Sequence, residues 1–210
     1  MADTKLIALL GTPLGQSFSP RMQNEAYKAI NFDGHYFPLE TNNELIGNNI
    51  ANIKKDNSYG FAVTKPNKEF AVQFMDEMDP LAEKMGTINT VVRNADGTCK
   101  GYNTDGFGAT KSMELEGIKF EESTFFVWGA GGTGKSVCFT MADMGAKKMY
   151  ISSRSEKCEI LAKDLNEKFG REVAVAIRTA DQEAVIKAVE ESDVLVNLSG
   201  LGMRGHEDET

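Results

Sequence analysis

The sequence predicts a two-domain α/β protein, and three observations support that fold class. Short β-forming runs alternate with stretches of helical spacing along the 210-residue chain, a pattern typical of parallel sheets with crossover helices. A hairpin pattern at residues 88–104 interrupts the alternation, and a glycine-rich turn at residues 129–134 belongs to a second α/β series. Hydrophobic residues make up 41% of the chain, which supplies enough apolar surface for a folded core.

The elements follow in order along the chain. Seven segments have the composition of strands: LIALL at 6–10, HYFPLE at 35–40, YGFAVT at 59–64, TFFVW at 124–128, KMYIS at 148–152, VAVAI at 173–177 and DVLVNL at 193–198. Between the first two, SPRMQNEAYKAI predicts a helix with Ser19 as its N-cap and Pro20 at its first position. Its apolar residues recur at helical spacing (Met22, Ala26, Ala29 and Ile30). Near the chain end, Thr179 and Gln182 match a capping box, for which we predict a structural role.

Residues 88–104 predict a β-hairpin, because Asp96 and Gly97 form a turn pair between strand-forming residues. The next segment, DGFGATKSMELEG, predicts a connecting helix that Gly117 ends. A new βα series begins near residue 124. We therefore place one domain at residues 1–110 and a second at residues 111–210.

The composition argues against several functions. The formal net charge of -8 disfavours nucleic-acid and anionic-membrane partners, which require a basic surface, so small molecules are expected instead. Cys99, Cys138 and Cys158 lie far apart and only 2 histidines are present, so we expect neither a disulfide framework nor a metal site. The first residues contain an apolar run too short for a signal peptide, and no run approaches membrane-spanning length, which predicts a cytoplasmic location. The sequence leaves the oligomeric state open between monomer and homodimer.

The segment VWGAGGTGKSV at residues 127–137 fits two phosphate-binding patterns. Gly129, Gly131 and Gly134 form the G-x-G-x-x-G pattern of dinucleotide-binding turns. The same segment also fits the G-x-x-x-x-G-K-S pattern of NTPases, which ends in Lys135 and Ser136. Both patterns direct backbone N–H groups and the positive end of a helix dipole at phosphate oxygens. The motif alone therefore leaves both ligand classes open.

The ends of the neighbouring strands favour the dinucleotide. An NTPase needs an acidic residue after a second apolar strand to hold magnesium, and that strand here ends in Asn197-Leu198-Ser199. A Rossmann unit needs a polar group about 20 residues past the glycines to read the adenosine ribose. That position here is Ser153-Arg154-Ser155. An arginine flanked by hydroxyls suits the 2′-phosphate of NADP, so we expect NADP, with NAD the less favoured alternative.

Four polar clusters in the N-terminal half lie at predicted strand ends or in the loops beyond them, where open α/β sheets bind ligands. They are GQSFSP (15–20), VTKPNK (63–68), GTINT (86–90) and GYNTDGFG (101–108). Together with GAGGTGK and NLSGLGM (197–203), their order and spacing resemble the shikimate dehydrogenase family, which includes quinate-using relatives. The resemblance covers essentially the whole chain. It implies an NADP-dependent oxidoreductase of the chorismate pathway of aromatic amino acid biosynthesis, with an N-terminal α/β substrate domain followed by a Rossmann-type dinucleotide-binding domain.

The resemblance also implies roles for individual residues. Ser17 and Ser19 would bind the substrate carboxylate, Thr64 and Asn89 would bind ring hydroxyls, and Lys68 with Asp105 would form a catalytic pair in contact with the substrate. The cofactor site would comprise Gly129, Ala130, Gly131, Gly132, Thr133, Gly134, Ser153, Arg154, Ser155 and Met203. General chemistry supports the catalytic pair. Ketone reduction develops an alkoxide that a proton-donating cation such as Lys68 stabilises, and a nearby carboxylate would keep the ammonium charged.

The sequence departs from the family pattern at several positions. Ala62 stands where asparagine usually precedes V-T, and Gln16, Gln23 and Ser153 also differ from the usual residues, so altered specificity is a hypothesis. A Rossmann sheet of four strands would leave apolar edges uncovered, so we expect a C-terminally truncated domain. Two alternatives stay open. One is a cofactor- or metabolite-binding relative without turnover, favoured by Ala62 and the expected truncation; the other is the NTPase.

Overall fold

The computed structural model describes residues 4–55 and 58–201, which belong to two compact units that divide between Thr104 and Asp105. The division lies earlier than the boundary placed after residue 110, because the connecting helix packs within the second unit. A Cβ atom on Gly106 would lie 2.0 Å from the Oγ1 atom of Thr140. Within the described residues, no helix is long and apolar enough to cross a membrane.

The first unit contains a six-stranded mixed sheet. Its strands are β1 (Lys5–Gly11), β2 (Gly34–Glu40), β3 (Ser58–Val63), β4 (Glu77–Met78), β5 (Thr90–Arg93) and β6 (Cys99–Tyr102), in the spatial order β2-β1-β3-β5-β6-β4. Its helices are α1 (Ser19–Ala29), α2 (Ile46–Lys55) and α3 (Pro80–Met85), with a 3₁₀ helix at Phe70–Phe74. Strand β1 runs parallel to β2 and β3, whereas β5 runs antiparallel to β3 and β6. The antiparallel β5–β6 pair is the predicted hairpin.

The core of this unit follows from the alternation of side chains along each strand. Leu10, Phe61 and Val63 belong to one buried cluster, against which α2 packs Ile46 and Ile50. Alternate residues of the same strands face the other way, and a smaller cluster there includes Leu9, Leu14 and Tyr36, with Ala62 packed against it. The side chain of Ala62 therefore lies on the face opposite the main core.

The second unit contains a parallel sheet of four strands. These are β7 (Thr124–Trp128), β8 (Lys148–Ser153), β9 (Ala174–Arg178) and β10 (Val194–Asn197), in the spatial order β10-β7-β8-β9. Its helices are α4 (Asp105–Leu115), α5 (Gly132–Asp143), α6 (Lys157–Phe169) and α7 (Gln182–Glu190). This order is that of the first half of a Rossmann sheet, as predicted. Phe125, Phe126 and Val127 of β7 are fully buried, as expected of a parallel strand covered on both faces.

Two local predictions are wrong. Helix α1 begins at Ser19, and its N-cap is Phe18, so the hydroxyl of Ser19 does not cap the helix. The helix itself is present as predicted, although none of its residues is buried and Met22 is 62% exposed. The N-cap of α7 is Asp181, whose carboxylate accepts a hydrogen bond from the Ala184 N–H at 3.1 Å, so Thr179 does not cap that helix. An aspartate closer to the helix start is a better acceptor for these N–H groups than the threonine.

Candidate functional site

Two close backbone approaches shape the glycine-rich turn. Gly129 has φ +120°, and a Cβ atom there would lie 2.7 Å from the backbone of Leu198. A Cβ atom on Gly134 would lie 2.3 Å from the Gly129 carbonyl oxygen. By contrast, a Cβ atom on Gly131 or Gly132 would have no heavy atom within 4 Å. Packing therefore requires glycine at the first and third positions of the motif. At the second position, the absence of a side chain on Gly131 leaves the backbone N–H groups of the turn accessible to a ligand.

Helix α5 starts directly from this turn. Gly131 is its N-cap, and the Lys135 N–H donates to the Gly131 carbonyl at 2.8 Å, which begins the helical hydrogen bonding. The first N–H groups of a helix have no partner within it and carry the positive end of its dipole. Ala130, Gly131 and Thr133 therefore lie where a diphosphate would bind.

A cavity of about 830 Å³ opens beside the turn, at the C-terminal ends of the four parallel strands. Its lining includes the predicted cofactor residues Gly129, Ala130, Gly131, Ser153, Arg154 and Ser155. Ligand cavities for drug-sized molecules occupy about 300–1,000 Å³, so this one has room for a nucleotide. The strand ends meet at one edge of the sheet, which brings together residues that are distant in sequence.

The cavity also contains residues that the sequence analysis missed. Lys157, at the start of α6, adds a second cation beside Arg154. Ser152 and Thr179 line the same cavity, and each has a buried hydroxyl oxygen that lacks a hydrogen-bond partner among the described residues. Thr179 directly follows strand β9, so the rule that strand ends carry ligand contacts could have identified it.

These residues fit NADP. The open glycine backbone suits a diphosphate, and the two cations suit the 2′-phosphate. The hydroxyl of Ser153 donates to the Ser155 carbonyl at 2.6 Å, so its donor is used within the turn. Arg154 and Lys157 are the cationic side chains among the residues that line this cavity. Met203 lies outside the described residues.

The NTPase pattern has no support from its two diagnostic side chains. The Lys135 ammonium lies 3.9 Å from the Asp164 carboxylate on α6 and 6.0 Å from the Phe139 ring centroid. Ser136 is buried, and its hydroxyl donates to the Gly132 carbonyl at 3.2 Å. A phosphate-binding lysine would instead extend along the turn to the ligand.

The first unit brings its predicted substrate residues to one edge of its sheet. Ser17 and Ser19 follow β1, Thr64 follows β3, and Asn89 precedes β5. The loops after β1 and β3 are joined by two backbone hydrogen bonds, from the Thr64 N–H to the Leu10 carbonyl at 2.8 Å and from the Thr12 N–H to the Lys65 carbonyl at 3.1 Å. The sheet therefore aligns residues whose sequence clusters are about 50 positions apart.

Side chains anchor the serine loop. The Leu14 N–H donates to the Glu40 carboxylate at 2.7 Å, and this bond lowers the pKa of Glu40 from its ordinary value of 4.5. The Ser19 N–H donates to the Ser17 hydroxyl at 3.3 Å, and both serines are half-buried. The two hydroxyls thus lie on one short, anchored segment, as a carboxylate-binding pair requires.

Lys68 lies in a loop that is tied to its neighbours through the backbone and through Asn67. The Ile88 N–H donates to the Lys68 carbonyl at 3.0 Å, which holds Lys68 close in the fold to the segment carrying Asn89. Asn67 is fully buried, and its amide donates to the Thr41 carbonyl at 2.7 Å. Asp105 begins α4 and belongs to the second unit, where the adjacent Gly106 packs tightly on α5.

The alanine at position 62 lines a separate cavity of about 250 Å³, together with Gln23, Tyr27, Tyr36 and Thr90. Ala62 pairs directly with Thr90 across the antiparallel β3–β5 ladder. Burial, with a smaller contribution from Tyr27, raises the pKa of the Tyr36 phenol to about 12, so Tyr36 stays protonated at neutral pH. The residues that line the cavity carry no charged side chain, and most of them are aromatic or aliphatic.

The Rossmann-type turn of the second unit and the polar strand ends of the first define the class of protein, a two-domain nicotinamide-dependent dehydrogenase. Comparison with known proteins identifies the family. A family model described as the shikimate dehydrogenase substrate binding domain matches residues 9–91. A shikimate dehydrogenase (NADP(+)) from Alkaliphilus oremlandii is 37% identical over 209 residues, which cover 99% of this chain and 72% of that relative. The chain belongs to the shikimate dehydrogenase family.

Solved structures agree with this assignment. Shikimate 5-dehydrogenase from Listeria monocytogenes, in complex with shikimate and NAD, has a TM-score of 0.93 at 30% identity, covering 100% of this chain and 73% of that one. Quinate dehydrogenase from Corynebacterium glutamicum, in complex with NAD, has a TM-score of 0.86 at 27% identity, covering 97% of this chain and 73% of that one. The prediction of the family from six ordered motifs is confirmed.

Proposed function

We propose that this chain catalyses the NADP-dependent interconversion of 3-dehydroshikimate and shikimate. The observation that carries the proposal is the glycine-rich turn with an adjoining cavity that contains Arg154 and Lys157. The curated relatives are named shikimate dehydrogenase (NADP(+)), which supports both the reaction and the cofactor. A cytoplasmic location is proposed with it, as befits a reaction that uses a soluble dinucleotide.

The substrate would bind to the first unit. Ser17 and Ser19 would donate hydrogen bonds to the carboxylate of the acid, since hydroxyl groups on one anchored segment can reach both oxygens. Thr64 and Asn89 would hold ring hydroxyls from the ends of β3 and β5. All four residues lie on loops joined to the same sheet, which is the rigid support that a positioned substrate needs.

Lys68 would provide the acid. When bound, NADPH supplies the hydride that reduces the carbonyl carbon of the ketone. The Lys68 ammonium donates a proton to the carbonyl oxygen as negative charge develops there, and takes it back in the oxidation direction. Asp105 would orient the ammonium and a substrate hydroxyl. Lys68 would therefore act as the acid in reduction and as the base in oxidation.

Oxidation of quinate is the alternative with specific support. Ala62 lacks the amide that asparagine would supply opposite Thr90, two residues before Thr64 on the same strand face, so a ring that makes no contact with such an amide would lose nothing there. The similarity to a quinate dehydrogenase favours the same alternative. We expect Ala62→Asn to improve discrimination in favour of shikimate, because it restores a donor and an acceptor next to Thr90.

Steady-state assays with each acid and each cofactor test the proposal. Reduction of NADP by shikimate with the highest kcat/KM of the four combinations would support it. A higher kcat/KM for quinate would replace it by the alternative. A protein that binds NADP but oxidises neither acid would instead be a cofactor-binding relative without turnover. Magnesium-dependent ATP hydrolysis that disappears in Lys135→Ala would contradict the dinucleotide assignment.

A further inference from the structure

A carboxylate at the end of strand β2 binds the loop that carries the two predicted substrate serines. The Leu14 N–H donates to the Oε1 atom of Glu40 at 2.7 Å, and the Thr12 hydroxyl donates to the same carboxylate. Glu40 pairs with Gly11 in the parallel β1–β2 ladder, so its carboxylate lies beside the point where the loop leaves β1. The neighbouring strand therefore holds the loop from the side.

A chain of hydrogen bonds leads from this carboxylate to a serine hydroxyl. The Leu14 peptide group donates to Glu40 through its N–H, and the Leu14 carbonyl accepts a bond from the Ser17 N–H at 2.9 Å. The Ser17 hydroxyl oxygen in turn accepts a bond from the Ser19 N–H at 3.3 Å. Linked hydrogen bonds polarise one another, and each fixes a group that takes part in the next. The position of the carboxylate therefore affects the orientation of the Ser17 hydroxyl.

The bond to Glu40 is important because the rest of the loop has few restraints. Within the described part of the chain, it is the one hydrogen bond that joins residues 13–18 to a strand. The bond from the Thr12 N–H to the Lys65 carbonyl anchors the start of the loop only. The Leu14 side chain is buried, at 6% exposure, which fixes the side chain but leaves the direction of its peptide group to the hydrogen bond. Loss of the carboxylate would therefore free the peptide groups of the loop.

The charge of Glu40 allows positioning to be distinguished from direct electrostatics. The proposed substrate is an anion, and a second carboxylate near its site would repel it. Hydrogen bonds from the Leu14 N–H and the Thr12 hydroxyl lower the pKa of Glu40 from 4.5, so the group is ionised at neutral pH and makes strong charge-assisted bonds. Repulsion predicts that removal of Glu40 improves substrate binding, whereas positioning predicts that it weakens binding.

We propose that Glu40 is a positioning residue that holds the Ser17 hydroxyl in place for the carboxylate of the substrate. It acts through the Leu14 peptide group and not as a ligand of the substrate. The inference rests on the proposed function, in which Ser17 and Ser19 bind that carboxylate. Glu40 lies outside the polar clusters of the sequence, so only the pairing of β1 with β2 brings it to the loop.

The kinetic test compares Glu40→Ala with Glu40→Gln, which keeps an oxygen that can accept from the Leu14 N–H. We expect Glu40→Ala to raise the KM for shikimate about tenfold, the lower end of the effect of one hydrogen bond to a charged group. The kcat and the KM for NADP should stay unchanged, because the serines bind the ground state and the transition state alike. Glu40→Gln should resemble the natural protein. A lower KM in both variants would indicate repulsion and overturn the proposal.

A double-mutant cycle tests whether Glu40 acts through Ser17. In the Ser17→Ala background, the further change Glu40→Ala should leave kcat/KM for shikimate nearly unchanged, because the hydroxyl that it positions is already absent. Additive losses would show an independent effect and overturn the proposal. The control is Glu25→Ala, which removes an exposed carboxylate from α1 that pairs with Lys28 at 2.7 Å. Its KM should not change.

Amide hydrogen exchange tests the loop without reference to activity. In the protein without ligands, we expect the Leu14 and Ser17 N–H groups to lose protection in Glu40→Ala and to keep it in Glu40→Gln and Glu25→Ala. The Thr64 N–H, which donates to a β1 carbonyl at 2.8 Å, is the internal reference. If Glu40→Ala does not fold, Glu40→Met is read in the same way, since it fills similar space without an oxygen acceptor.

The outcomes separate this inference from the proposed function. An unchanged KM for shikimate in Glu40→Ala would overturn the positioning role, as would unchanged exchange of the two amides or equal effects in Glu25→Ala. Failure of the natural protein to oxidise shikimate would contradict the proposed function. The exchange experiment would then still decide whether Glu40 holds the serine loop.

Discussion

The substitution Gly131→Ala separates cofactor binding from folding more cleanly than any other change in the turn. A Cβ atom at this position would have no heavy atom within 4 Å. The backbone there has φ −81° and ψ −168°, an extended conformation that alanine adopts readily. Gly131 contributes to the lining of the cavity, so a methyl group there would be added to the cavity edge without a clash in the protein.

The expected effect on stability is small. Alanine is a poorer N-cap than glycine, but it also reduces the conformational freedom of the unfolded chain. These opposing contributions leave the free energy of unfolding within about 1 kcal/mol of that of the natural protein. The protein without cofactor should therefore unfold at nearly the same urea concentration.

The expected effect on NADP affinity is large. A methyl group between the turn and the diphosphate would break at least one N–H bond to a charged phosphate, which contributes about 1.5–3 kcal/mol. At 1.4 kcal/mol for each factor of ten, the Kd for NADP should rise about 10-fold to 150-fold. Calorimetric titration with NADP and urea unfolding monitored by circular dichroism measure the two quantities separately.

Gly134→Ala is the matched control, since it adds the same methyl group in the same turn. Its Cβ atom would lie 2.3 Å from the Gly129 carbonyl oxygen, so the backbone must shift. Such overpacking costs about 1–3 kcal/mol, and this variant should lose stability as well as affinity. NADP bound by Gly131→Ala with unchanged Kd would refute the placement of the diphosphate on this turn.

Three further predictions test other parts of the molecule. Lys68→Ala should lower kcat by orders of magnitude and leave the Kd for NADP unchanged, because it removes the proton donor and not a cofactor contact. An unchanged steady-state kcat at saturating shikimate would show that Lys68 is not part of the mechanism. Arg154→Gln should weaken NADP about 10-fold to 150-fold while leaving NAD nearly unaffected, because only NADP carries the 2′-phosphate; equal losses for both cofactors in calorimetry would assign Arg154 to another role. The Asp76 carboxylate accepts a hydrogen bond from the Lys54 ammonium at 2.7 Å and another from the Cys99 N–H at 2.7 Å, and these bonds hold the pKa of Asp76 below its ordinary 3.8. The ionised carboxylate therefore stabilises the fold above pH 3.8, and this stabilisation is lost as the pH falls through the folded-state pKa. Asp76→Asn should therefore lower the melting temperature at pH 7 and have a shrinking effect below pH 3.8, and a constant difference from pH 7 to pH 2 would contradict this assignment.

The strands were predictable because their composition is strongly biased. Fully buried parallel strands such as β7 read as continuous apolar runs, and the hairpin was marked by the Asp96-Gly97 turn. The 3₁₀ helix, the two-residue strand β4 and the short helix α3 were not anticipated, since so few residues carry no periodicity. Helix α1 was predicted from its apolar spacing and is present, although none of its residues is buried.

The candidate site was only partly predictable for a different reason. The turn glycines and Arg154 were found because their motifs are local in sequence. Lys157 and Ser152 were not assigned, because nothing in their immediate sequence shows that they line the same cavity, whereas Thr179 could have been found from its place directly after β9. The glycine motif fits both a dinucleotide and a nucleoside triphosphate, so the motif could not decide between them. The ion pair of Lys135 with Asp164 on α6 argues against the triphosphate, because it directs the lysine to a neighbouring helix.

The sequence by itself determined the α/β class, the strand positions and the glycine pattern, because each depends on neighbouring residues and on backbone preference. Tertiary structure alone decided which glycines are sterically required and which side chains line the cofactor cavity together. Those properties depend on distances between segments far apart in the chain. Such distances are fixed by sheet order and packing, for which local sequence carries little information.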